Sequence, residues 1–109
     1  MIKIEAFENN AQIARVVYWA YKDSQEMGND ILNFYETVWK KDIASIVETC
    51  REHGICEFSI SNTCSDLTNT LADFEDLGCK VVELIKVKSL AIYNKEKARM
   101  IPAIKLEVR

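Results

Sequence analysis

Between Asn10 and Met27 the apolar positions Ile13, Val16, Val17, Ala20 and Met27 recur at intervals of three, four and seven. That period puts them on one face of a helix. Asn9 or Asn10 can cap its start, and Gly28 can end it in a left-handed turn. Tyr18, Trp19 and Tyr21 fall off this stripe, so they either widen the buried face or lie on the surface. Residues 31–39 fit neither period and are open between a short edge strand and a turn of helix. A clearer helix spans Lys41 to His53, with Ile43, Ile46, Val47 and Cys50 inward and Gly54 as its stop. Ile55 to Ser61 alternates as a strand. Asp66 to Leu77 is a third helix with Leu67, Leu71, Phe74 and Leu77 inward, closed by Gly78.

The remainder reads as two strands. Val81 to Leu90 is apolar at its start, as expected where both faces are covered. Met100 to Arg109 alternates: Met100, Pro102, Ile104, Leu106 and Val108 face one way, and Ile101, Ala103, Lys105, Glu107 and Arg109 the other. Between them YNKEKAR predicts a polar loop of about eight to ten residues. Pro102 lacks an N–H, so its strand should begin at a sheet edge or with Pro102 at its mouth. The order helix-helix-strand-helix-strand-strand predicts one α+β domain over residues 1–109. A mixed sheet of about three strands would carry helices on one face, with a parallel strand-helix-strand crossover and a C-terminal hairpin.

Composition narrows the class. The chain has 109 residues, 49% hydrophobic and 28% charged, with three glycines and one proline, leaving little room for linkers. No apolar run reaches the ~20 residues a membrane helix needs, and MIKIEAFENN is not a signal peptide. These features predict a cytoplasmic protein with reduced cysteines. The net charge of −3 is unevenly spread. Residues 79–109 carry eight Lys/Arg against three Asp/Glu, a local +5, while the rest of the chain is −8.

The segment CREHGIC sets Cys50, His53 and Cys56 at a spacing that could begin a zinc site, with Cys64 or Cys79 as a fourth ligand. Each member also has a structural role. Cys50 continues a helical stripe, Cys56 shares the inward strand face of Phe58 and Ile60 as a buried thiol, and His53 sits where a helix dipole favours it. The expectation is therefore no metal, no cofactor and no cysteine nucleophile, with Cys50, His53 and Cys56 kept as the weaker alternative. Asp73, Glu75 and Asp76 read as a solvated helix face, and the isolated glycines make no phosphate loop.

The hairpin is the most informative surface. Lys86 and Lys88 share a strand face, and Ile101, Ala103, Lys105 and Arg109 are expected to join them outside. Such a face can dock an acidic protein or follow phosphates. The candidate contact residues are Lys86, Lys88, Tyr93, Lys95, Lys97, Arg99, Ile101 and Lys105, with Trp19 as a second anchor if exposed.

Four stretches, VWKKDIASIV (38–47), HGICEFSIS (53–61), LADFEDLGCKV (71–81) and MIPAIKLEV (100–108), resemble small uncharacterised proteins carried by plasmids, phages and integrative elements of Gram-positive gut bacteria. The matching positions are Trp39, Asp42, Phe58, Ser59, Ser61, Phe74, Gly78, Tyr93 and the run Ile101 to Ile104. The resemblance implies a cytoplasmic bacterial setting and transfers no catalytic residue. It leads to the expectation of a non-enzymatic accessory protein that binds a protein partner, as an inhibitor of the anti-CRISPR or anti-restriction type. The alternative is a nucleic-acid-binding regulator using residues 80–109. No membrane contact is expected, and an open sheet edge would permit a homodimer.

Overall fold

A computed structural model describes residues 15–61, 66–91 and 94–109, with the backbone alone for 90, 91 and 94–98. Helices α1 (Arg15–Met27), α2 (Lys40–Glu52) and α3 (Leu67–Asp76) accompany strands β1 (Leu32–Phe34), β2 (Glu57–Ile60), β3 (Cys79–Ala91) and β4 (Asn94–Val108). The strands form one mixed sheet in the order β1-β2-β4-β3. The α+β class is as expected, but the described residues form four strands. The extra one is β1, which resolves the ambiguous stretch after Gly28. All three of its residues are buried, so its sequence carries no alternation to read.

The expected parallel crossover is present in split form. β2 and β3 are both antiparallel to β4, so they run parallel to each other, joined through α3 with β4 between them. β1 and β2 add a directly paired parallel unit across α2. The polar loop is also shorter than expected. β3 and β4 pair as far as Ala91 and Asn94, leaving only residues 92 and 93 between the strands. A two-stranded ribbon reaching beyond the sheet needs no apolar face, so polar composition does not preclude pairing there. Pro102 sits where an edge rule puts it. β2 pairs with β4 only through 104–107, so at Pro102 the described partner is β3 alone.

The core follows from the register. Phe58 faces Leu32 and Leu106 across the strands, and Ile60 faces Phe34 and Ile104. Phe58 is the centre of an aromatic group, edge-to-face with Phe34 at 5.6 Å and tilted against Phe74 of α3 at 5.0 Å. Val17, Ala20 and Tyr21 of α1 and Ile43, Ile46, Val47 and Cys50 of α2 complete this core. Of the two places open to Tyr21 the structure shows the first: it widens the buried face and is fully buried, because the buried arc of α1 is centred on Val17, Ala20, Tyr21 and Ser24. Ile13 and the expected caps Asn9 and Asn10 lie outside the described residues. Among the described residues, no helix is long and apolar enough to cross a membrane.

The helices end where glycine permits a left-handed turn. Gly78 adopts φ +95, and a Cβ there would stand 2.8 Å from Arg51 Nη2. That guanidinium donates to the carbonyl oxygens of Leu77 (2.6 Å) and Arg109 (2.9 Å from Nε), tying the ends of α2, α3 and β4 together.

The other face of β1 and β2 holds a buried polar network. Asn33 and Ser59 are register partners and both fully buried. Ser59 Oγ donates to Asn33 Oδ1 (2.6 Å), and Asn33 Nδ2 donates to Ser61 Oγ (2.8 Å). On the outer edge of β1 the Asn33 N–H donates to Ser24 Oγ (2.8 Å), and that hydroxyl donates to the Ala20 carbonyl (2.7 Å). A buried group stripped of its partner costs about 1–3 kcal/mol. Asn33→Ala strands two serine hydroxyls at once. It is expected to lower unfolding stability by about 2–3 kcal/mol, and Ser61→Ala, at the half-buried end of the network, by about 1 kcal/mol or less. Urea denaturation at matched m-values reads both.

Candidate functional site

Three surfaces hold the chemistry-bearing side chains: the far half of the β3-β4 hairpin, the groove between α1 and the β1-α2 connection, and the end of α2.

The hairpin extends beyond the helices, and its register decides what each face presents. Leu84 pairs with Ile104, Lys86 with Pro102 and Lys88 with Met100, so these residues share one face. That face is solvated: Leu84 is 73% and Met100 52% exposed, and Lys86, Lys88 and Pro102 are exposed as well. The expected grouping of Lys86 and Lys88 with Ile101, Ala103 and Lys105 is therefore incorrect. Ile101 pairs with Val87 and Lys105 with Glu83, which puts them on the opposite face, and Ala103 and Val87 there are buried. A one-residue difference in register moves a side chain across the sheet. The shift between Val81 and Glu83, where β3 carries an irregularity, is what the alternation pattern could not reveal.

Lys105 is occupied by structure. Its Nζ stands 3.1 Å from Glu57 and 3.6 Å from Glu83, so a cation on the central strand bridges carboxylates from both neighbours. Its hydrogen bond to Glu57 leads the effects that raise its pKa. Arg99 is exposed and pairs with Ser89, on the face opposite Lys88. Tyr93 and the side chains of Lys95 and Lys97 lie outside the described residues.

Both hairpin edges are restricted. On β3 the Lys88 N–H donates to Asn29 Oδ1 (2.8 Å), while the Lys88 carbonyl accepts from Asn29 Nδ2 (3.0 Å) and from the Tyr35 hydroxyl (2.6 Å). Asn29 Nδ2 also donates to the Tyr35 hydroxyl. The Asn29 amide thus stands in for a strand, pairing both backbone groups of one edge residue. Asn29 and Tyr35 flank β1, at the other edge of the sheet. The sheet curls enough for its two edges to be joined by side chains. Burial pushes the Tyr35 phenol up to about 12, against the opposing effect of its amide hydrogen bonds.

Trp19, a second candidate anchor only if exposed, is 60% exposed. A residue that sequence reasoning did not assign to any site, Trp39, is 63% exposed. Trp19 projects from α1 and Trp39 from the residue preceding α2. Both line a groove of about 430 Å³ whose other described walls are Val16, Ala20, Phe34, Asp23, Tyr35, Glu36 and Thr37. Asp23 is raised by burial first, then by the negative charges of Glu36 and Glu26. An exposed Trp immediately before a helix was the available signal, but a lone Trp does not disclose what stands opposite it.

The end of α2 answers the question raised by CREHGIC. Cys50 is fully buried, and burial pushes its thiol up to about 12. His53 is the C-cap residue, its N–H bonded to the Thr49 carbonyl. Cys56 is exposed, with its thiol 3.6 Å from the Gly54 carbonyl. Its expected place in the core is incorrect: β2 begins at Glu57, so Cys56 precedes the regular alternation. Among the described residues, no group of three or more His, Cys, Asp or Glu is placed to hold a metal ion. Cys79 is buried and likewise raised by burial, with Arg51 acting in the opposite direction. Cys64 lies outside the described residues.

The fold defines a small α+β protein built on a strongly curved four-stranded mixed sheet. The profile of the family described as "Domain of unknown function (DUF7698)" matches residues 16–108, and the chain belongs to that family. No curated protein and no solved structure matches the chain.

Two outcomes follow from these environments. In the native protein a thiol-alkylating reagent should label Cys56 and leave Cys50 and Cys79 unmodified, as read by peptide mass mapping before and after denaturation. The charged form of Asp23 is disfavoured by folding. Its cost is absent below the ordinary carboxylate pKa of 3.8 and develops as pH rises through the higher folded value. Asp23→Asn should therefore raise the melting temperature at pH 7, and the gain should vanish as the pH falls below the ordinary Asp range.

Proposed function

We propose that this protein acts by binding a protein partner through the exposed far part of the hairpin face that carries Leu84, and that it is not an enzyme. The observation that carries this reading is the exposure of Leu84 and Met100 on the same face as Lys86 and Lys88. Large apolar side chains left in water beside cations are what a protein interface covers, and desolvating them supplies binding energy that a phosphate backbone would not. Face binding also fits the edges. Pro102 has no N–H to offer an added strand, and Lys88 already has both backbone groups satisfied.

The resemblance to proteins of mobile elements supplies the setting of this proposal: a bacterial cytoplasm, and a partner drawn from the host's nuclease-type defence systems. At a net charge of −3, with its basic excess in residues 79–109, the chain would inhibit through a specific surface and not by imitating DNA charge.

A second reading, a nucleic-acid-binding regulator, is favoured by the exposed Lys86, Lys88 and Arg99, which have no ion pair among the described residues. Salt and apolar substitutions separate the two. A tagged protein exposed to nuclease-treated lysate of a Gram-positive host is expected to retain a specific protein at moderate salt. Leu84→Ser with Met100→Ser should abolish that retention without altering the circular dichroism. Retention of nucleic acid alone, lost steeply with salt and with Lys86→Ala plus Lys88→Ala, would instead establish the second reading.

A further inference from the structure

The groove between α1 and the β1-α2 connection has a composition that neither the hairpin nor the core explains. The chain contains two tryptophans, and both line it. Each leaves about 60% of its surface in water. An indole with that exposure contributes little to the core, yet here two of them flank one hollow. The floor between them is apolar, built from Val16, Ala20 and the buried Phe34.

The charged groups of this groove are of one sign. Asp23 from α1 and Glu36 from the segment after β1 both line it, and no lysine or arginine is among its described walls. The nearest basic residue on the same helix, Lys22, is directed elsewhere: its Nζ lies over the Tyr18 ring, 5.7 Å from the centroid. Neither Asp23 nor Glu36 has an ion pair among the described residues, and burial first, then the negative charge of Glu36, disfavour the charged form of Asp23. Two carboxylates beside two aromatic rings form a site that favours a cation and disfavours an anion. The ring faces attract positive charge through their quadrupoles, and the carboxylates attract it directly. A planar guanidinium satisfies both at once, stacking on indole while donating paired N–H groups to a carboxylate.

We infer that the groove walled by Trp19, Trp39, Asp23 and Glu36 receives an arginine or lysine side chain of a partner polypeptide. Its volume of about 430 Å³ admits one long side chain with flanking backbone. Tyr35 connects this groove to the hairpin edge by its bond to the Lys88 carbonyl, so a single partner could contact both surfaces. The inference does not rest on the hairpin reading, because none of Leu84, Lys86 or Met100 lines the groove.

The two tryptophans make the test direct, since the indole N–H region of a nitrogen-proton correlation spectrum then contains two side-chain signals. Each is assigned by Trp19→Phe or Trp39→Phe. The probe is the capped pentapeptide Gly-Gly-Arg-Gly-Gly, with its Lys, citrulline and Glu counterparts. The Arg and Lys peptides are expected to shift both indole signals saturably. The citrulline peptide, which keeps the shape and loses the charge, and the Glu peptide should leave them in place. Asp23→Asn with Glu36→Gln should weaken the Arg peptide by about tenfold, while Leu84→Ser with Met100→Ser leaves its affinity unchanged. Equal shifts with Arg and citrulline peptides, no shift with Arg, or full affinity in the carboxamide variant would each overturn the assignment. Retained amide dispersion in every variant shows that the fold is intact. Loss of the hairpin interaction with groove binding preserved would refute the proposed function and leave this site standing.

Discussion

The fold depends on the hydrogen bonding of Asn33. β1 has only three residues, too few for ladder bonds alone to hold it in register. The Asn33 side chain reaches two serines near β2, and its backbone N–H is taken by Ser24 of α1. Satisfying a buried amide leaves little freedom: a slip by one residue would turn Asn33 toward the core and turn Leu32 and Phe34 away from it. The network thus fixes which face of β1 meets Phe58. Through Phe58 it fixes the packing of Phe34, Phe74 and Leu106.

The same stretch of chain governs the curvature of the sheet. α1 ends at Gly28, Asn29 follows at once, and Tyr35 comes directly after β1. Their side chains reach Lys88 on the opposite edge strand. A sheet left open would expose the unpaired groups of both β1 and β3. Here Ser24 covers one edge and Asn29 with Tyr35 the other, so closure is achieved by side chains at two points and not by a continuous ladder. The outer half of the hairpin is thereby tied at Lys88 to the segments flanking β1, with its Leu84-Lys86-Lys88 face in water.

The two candidate surfaces are products of this arrangement and differ in chemistry. The hairpin face is basic and apolar, while the neighbouring groove is acidic and aromatic. Tyr35 belongs to the groove and also seals the hairpin edge, so the two are mechanically connected. Within the groove, burial first and the negative charge of Glu36 second disfavour the charged form of Asp23.

Much of the architecture was legible in the chain itself. The 3.6-residue period located α2 and α3, the glycines at 28, 54 and 78 located the helix ends, and alternation from Met100 to Val108 located the proximal half of β4. These features depend on local geometry, in which each residue's neighbours in sequence are its neighbours in space. β1 was not legible, because burial on both faces erases alternation. The full burial of Tyr21 depended on which arc of α1 met the sheet. Lys105 read as a free surface cation until the register placed it between Glu57 and Glu83. Trp19 and Trp39 stand twenty residues apart, and nothing in their spacing indicates a shared groove. The sequence by itself determined the helices α2 and α3 with their ends, the inner parts of β2, β3 and β4, and the α+β class. Only the tertiary structure decided strand order, register and which side chains converge, because those rest on contacts between residues distant along the chain.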